Sequence, residues 1–178
     1  MTRSRKRASA VSPTGVPGIG EGKRGPEGHL GYLVRQANVA VRAALERALA
    51  DTGATTPQFA VLTMIVAYPG ISGADLARLT FLTPQTINVI VRNLERAGAV
   101  TKTAHAEHGR ILQLEATPKG VALLKRCRSR VQEVERALSG LVGPAEEKTV
   151  RRWLRAVAEV LSEGKVPEGK LAKGRTGG

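Results

Sequence analysis

A chain of 178 residues with 42% hydrophobic side chains holds enough apolar material for one domain-sized core. Its formal net charge of +13 points to a polyanionic partner, nucleic acid ahead of an anionic membrane surface, because each Lys or Arg set against a phosphate releases condensed counterions. A single cysteine excludes an internal disulfide, no apolar run reaches the roughly 18 residues of a membrane span, and the charged N-terminus lacks the apolar stretch of a secretory signal, so a soluble cytoplasmic protein with no membrane partner is expected.

Residues 1–27 mix Arg, Lys, Ser, Gly and Pro without hydrophobic periodicity and are expected to form a basic disordered arm. Six basic residues (Arg3, Arg5, Lys6, Arg7, Lys23, Arg24) against Glu21 and Glu27 give it a net +4. Residues 164–178, a flexible tail of the same character, add a net +3 from Lys165, Lys170, Lys173 and Arg175 against Glu168. Residues 28–163 keep +6, so a good part of the basic charge lies outside the folded region.

In that region the period is helical. Leu30, Leu33, Val34, Ala37, Val41, Ala44 and Leu45 mark a first long helix over about 28–52, which should end near Gly53. Three Thr-Pro pairs then announce helix starts, since Thr suits an N-cap and Pro tolerates the first helical position: Thr56-Pro57, Thr83-Pro84 and Thr117-Pro118. The helix after Thr56 carries Phe59, Leu62, Met64 and Ile65 and breaks at Pro69-Gly70. Ser72-Gly73-Ala74-Asp75 has the form of a capping box and opens a short helix with Leu76 and Leu79. A turn through Phe81 and Leu82 leads to Thr83.

In the helix after Thr83, Ile87, Ile90, Val91 and Leu94 recur at helical spacing and form one buried stripe. The opposite face carries Gln85, Asn88, Val89, Arg92 and Arg96 and no acidic residue. Gln and Asn can pair bidentately with adenine, and Arg with guanine or phosphate, so this face suits the major groove of DNA. After Gly98 the period changes. Val100–Thr103 and Ile111–Glu115 read as two strands joined by a polar tip, with Lys102, His105, His108 and Arg110 on or beside it. A capped short helix, a turn, a second helix with a basic polar face and a positive hairpin make, in that order, a winged helix-turn-helix over about 56–117. Arg110 is placed to enter a minor groove beside the major groove held by the helix. Two more helices, over about 118–141 and 144–162, carry apolar seams: Leu124, Cys127, Val131, Val134, Leu138 and Leu141, then Val150, Trp153, Leu154, Val157, Val160 and Leu161.

Thr83-Pro84-Gln85-Thr86-Ile87-Asn88, Val91-Arg92-Asn93-Leu94-Glu95-Arg96-Ala97-Gly98-Ala99-Val100, His108-Gly109-Arg110 and Leu114-Glu115-Ala116-Thr117-Pro118-Lys119-Gly120 carry a further signal. Through these motifs the chain, from about His29 to Leu161, resembles the MarR (multiple antibiotic resistance) family. The resemblance implies a mainly helical fold with a small β-hairpin wing and long flanking dimerisation helices. It also implies a homodimeric repressor on a pseudo-palindromic operator, relieved by a small aromatic or phenolic effector. The DNA contacts it suggests are Ser72, Thr83, Pro84, Gln85, Thr86, Asn88, Val89, Arg92, Arg96, Lys102, His108 and Arg110. Family wings often carry Asp-x-Arg; here His108 stands at the acidic position, where it can meet phosphate but cannot supply the ion pair that steadies the arginine.

Other candidates read as structural. Cys127 lies on an apolar seam as a small buried hydrophobe, and Trp153 belongs to helix packing. His105 and His108 form an H-x-x-H without a clear third ligand, so no metal and no cofactor are expected. No nucleophile–base–acid set or phosphate-cradling glycine loop appears, so an enzyme is not expected. The alternative reading is a winged-helix module for protein or RNA partners, in which the same basic face meets a different molecule.

Overall fold

The computed structural model describes residues 15–104 and 112–162, and the chain divides into two compact units, one ending at Val134 and the other beginning at Glu135. The elements run α1 (Leu30–Leu49), α2 (Thr56–Ala67), β1 (Ile71–Ser72), α3 (Gly73–Thr80), α4 (Pro84–Arg96), β2 (Val100–Ala104), β3 (Leu112–Ala116), α5 (Pro118–Ser139) and α6 (Pro144–Ser162). The fold is mainly helical with a small antiparallel sheet, a winged helix-turn-helix as the pattern predicts.

The core of the first unit is where the helical stripes meet. Val61, Leu62 and Ile65 of α2, Leu76 of α3 and Ile87, Ile90, Val91 and Leu94 of α4 are buried together with Val100, Leu114 and Leu124. A second buried cluster joins Leu49 and Ala54 to Cys127 and Val131, so Cys127 is the small buried hydrophobe that its seam implies. In α1 only Leu49 is buried, while Leu30, Tyr32 and Val39 are exposed. The first helix therefore leaves much of its apolar surface uncovered within its own chain.

Three features differ from the sequence expectation. The α2 cap is Thr55, one residue before the first Thr-Pro pair: its hydroxyl accepts from the Gln58 amide (3.4 Å), and the Gln58 side chain accepts from the Thr55 amide (2.9 Å). This reciprocal pair satisfies two helix-end donors, which Thr56 and Pro57 one step inside the helix do not. Second, the wing is not a lone hairpin. The sheet has the order β1-β3-β2, with Ile71 opposite Leu114 and Ser72 opposite Gln113. A two-residue strand has no period to read.

Third, the arm is not structureless where it is described. Residues 22–24 form a short 3-10 helix, and the Arg24 side chain donates to the Pro17 carbonyl (3.1 Å) and to the Gln36 amide oxygen (3.4 Å). Gln36 returns a bond to the Arg24 carbonyl (3.2 Å). Polar and backbone bonds order this segment where apolar burial does not.

In the second unit, α6 opens with Glu146 and Glu147 in its first turn, where the helix dipole favours them. None of its residues is buried, and Val150, Trp153, Leu154 and Leu161 are exposed along the predicted stripe. No helix among the described residues is long and apolar enough to cross a membrane.

Candidate nucleic-acid interface

Helix α4 owes its start to Thr83 and Pro84. The Thr83 hydroxyl accepts from the Thr86 amide (3.2 Å) and shares a 2.8 Å hydrogen bond with the Thr86 hydroxyl, while Pro84 fills the first turn, where its missing N–H costs nothing. The helix is rotated as the pattern requires. Ile87, Ile90, Val91 and Leu94 are buried, and Gln85, Asn88, Val89, Arg92 and Arg96 are exposed on the far side.

Among the described residues, no hydrogen bond or ion pair engages the side chains of Gln85, Asn88 or Arg92. Their donors and acceptors face outward without internal partners. Arg96 donates to the side-chain oxygen of Asn93 on the same helix. Val89, 57% exposed, adds an apolar spot in the middle of the polar face. The surface therefore offers two amides, two guanidinium groups and one branched methyl pair, a mixture matched to base edges and phosphates.

Two predicted contact residues are occupied elsewhere. Ser72 caps α3: its hydroxyl accepts from the Asp75 amide (3.1 Å) and donates to the Asp75 carboxylate (2.6 Å). That bond, followed by the Arg78 guanidinium, holds the Asp75 carboxyl below the ordinary carboxylate range. Lys102, at the base of the wing, donates to Glu95 on α4 at 2.7 Å, with the lysine only 28% exposed. The pairing has two consequences. It ties strand β2 to the reading helix, and it neutralises the one carboxylate on α4 that would repel a phosphate backbone. Glu95 lies outside the predicted reading face. The signal was there in two opposite charges flanking the Gly98 turn.

The wing strands pair in register from Val100 opposite Ala116 to Ala104 opposite Leu112. The tip, with His105, Glu107, His108 and Arg110, lies outside the described residues. At its base, Thr117 donates from its hydroxyl to the Gly98 carbonyl (2.7 Å) and accepts from the Gly120 amide (3.1 Å), so one side chain both closes the hairpin and starts α5. Gly120 is required there, since a β-carbon would stand 2.0 Å from the Ala99 carbonyl oxygen.

Comparison with known proteins agrees with this geometry. The model of the MarR family matches residues 52–111, the stretch that carries the helix-turn-helix and the first wing strand. The chain is 38% identical over 123 residues to the HTH-type transcriptional repressor Rv2887 of Mycobacterium tuberculosis, covering 68% of this chain and 88% of the relative. The crystal structure of Rv2887 in complex with DNA superposes with a TM-score of 0.60 at 30% identity, over 74% of this chain and 98% of that one. Its complex with salicylic acid gives 0.60 at 33% identity over the same shares. The chain belongs to the MarR family of winged helix-turn-helix transcriptional regulators.

Proposed function

We propose that this protein is a repressor that binds a pseudo-palindromic operator in double-stranded DNA as a homodimer and is released from it by a small aromatic or phenolic effector. The observation that carries the reading is the outer face of α4: Gln85, Asn88, Val89, Arg92 and Arg96 are exposed together, and no acid interrupts them. With α4 in the major groove, the Gln85 and Asn88 amides read base edges while Arg92 and Arg96 meet guanine or phosphate. Thr83, Pro84 and Thr86 form the exposed leading end of that helix, Ser72 and Lys102 act by holding α3 and the wing, and His108 and Arg110 supply the wing contacts.

Dimerisation is supported by the apolar surface that one chain leaves exposed on α1 and α6, including Tyr32, Val39, Trp153 and Leu154. A two-fold dimer presents two reading helices to a two-fold site. The effector class is supported by the relative Rv2887, solved with salicylic acid and with DNA. An effector that prefers a conformer with mismatched head spacing lowers DNA affinity by at most the ratio of its affinities for the two conformers.

The test is a competition mobility shift with DNA flanking the protein's own gene. Retention of the complex against excess shuffled duplex, with loss at raised salt, is expected. Equal competition by both duplexes would overturn base reading and favour a binder that meets only the phosphate backbone.

A further inference from the structure

Phe81 serves neither the core nor the reading face described above. It stands between α3 and α4, two residues before the Thr83 cap, and its backbone is left-handed (φ 56°, ψ 31°), which is true of no other non-glycine residue among those described. The turn needs that conformation. The Phe81 and Leu82 amides both bond back to the Ala77 carbonyl, the latter at 3.2 Å, and this folds Leu82 onto the core. Glycine adopts such a backbone without steric conflict, whereas a β-carbon meets the following carbonyl oxygen.

The aromatic ring gains nothing from burial to offset that strain, because Phe81 is 76% exposed, more than any other aromatic residue described. A left-handed backbone at a residue with a β-carbon points to a functional constraint where no burial inside the chain offsets it. Its neighbours say which one. Thr83, Pro84, Gln85 and Thr86, two to five residues further along, are all exposed at the start of α4, so Phe81 borders the leading end of that helix in the chain. A phenyl ring forms no conventional hydrogen bond, and the apolar group that DNA displays in its major groove is the 5-methyl of thymine.

We propose that Phe81 is a specificity-determining residue that packs against a thymine 5-methyl group in each half-site. The inference rests on the reading that α4 enters the major groove. It adds a contact of a different kind from the amide and guanidinium contacts of that helix, and it requires a thymine at one fixed position per half-site.

The test uses the full-length protein and an operator obtained by selection from a random duplex library. Each thymine in turn is replaced by deoxyuridine in both half-sites, which removes only the methyl group. For wild type, one symmetric replacement should weaken binding by roughly four-fold per half-site, the value of one buried carbon. Phe81→Gly and Phe81→Asn, both compatible with a left-handed backbone, should bind the thymine operator more weakly and be indifferent to that replacement. Their Tm should equal or exceed that of wild type.

Wild-type indifference at every thymine, or the same deoxyuridine penalty in both variants, would overturn the contact while leaving operator binding intact. A change of oligomeric state in the variants would overturn it too, by assigning the ring to a protein interface. Failure of wild type to prefer the selected operator over shuffled DNA would instead strike the reading on which the inference rests.

Discussion

Helices α4 and α6 are both strongly amphipathic, yet the chain treats their apolar stripes in opposite ways. Ile87, Ile90, Val91 and Leu94 of α4 are all buried against α2, α3 and the wing strands, so the reading helix is fully seated by its own chain. Val150, Trp153, Leu154 and Leu161 of α6 remain exposed, Leu161 by 60%. The difference separates two tasks. A reading head must be rigid before it meets its ligand, since only a fixed helix positions several side chains against base edges at once. The flanking helix keeps its surface for a second chain, and burial that one chain does not supply becomes the driving force for pairing.

Substitutions on α6 carry the largest expected effect. The double substitution Trp153→Asp with Leu154→Asp should convert the dimer to monomer in sedimentation at micromolar concentration, a loss of about 4 kcal/mol or more if each residue acts as an interface hot spot. The melting transition of the head should change little. The mirror experiment is Leu94→Ala, which opens a cavity inside the head and should cost about 2–5 kcal/mol in denaturant unfolding. Here the association state should survive at temperatures where the head stays folded.

On the outer face of α4 the effects fall on binding alone. Gln85→Ala should cost about 1–3 kcal/mol in operator affinity and relax base preference. Arg92→Ala should weaken binding across sequences and reduce the slope of log affinity against log salt by about one per half-site, or about two for the dimer. Neither should shift Tm by more than a surface substitution does. A drop in stability comparable to that of Leu94→Ala would show that these side chains hold the fold.

The smallest effect concerns Asp75. Its folded pKa is lowered by the Ser72 hydroxyl and then by Arg78, so the ionised form is favoured in the folded state. The stabilisation is fully present above the ordinary Asp value of about 3.9 and is lost as pH falls through the lower folded value. Thermal melts should therefore show a modest Tm deficit for Asp75→Asn at pH 7 that closes as the pH drops below about 4. A deficit unchanged down to pH 2 would remove the charge from the explanation.

The parts of this architecture that were legible in the sequence are those with a repeating cause. Apolar residues at helical spacing located α1, α4, α5 and α6, and Thr-Pro and Ser-x-x-Asp pairs located helix starts to within a residue. The outer face of α4 followed once the inner stripe was known, because 100° per residue assigns both faces together. What escaped was set by contacts between distant or irregular positions. The strand Ile71–Ser72 exists because Leu114 and Gln113 stand opposite it, not because two residues prefer extension. The Glu95–Lys102 pair depends on the hairpin folding back beside α4. In the sequence Phe81 is a turn residue and nothing more, since its left-handed backbone and its exposure belong to the folded chain alone.

Selection from a random duplex library shows whether the outer face of α4 reads bases in a two-fold site. Enrichment of a pseudo-palindrome whose half-sites are centred about one helical turn, or roughly 10 base pairs, apart is expected, with the enriched positions altered by Gln85→Ala. No enrichment over the starting library, or an enriched site with a single unrepeated half, would contradict it.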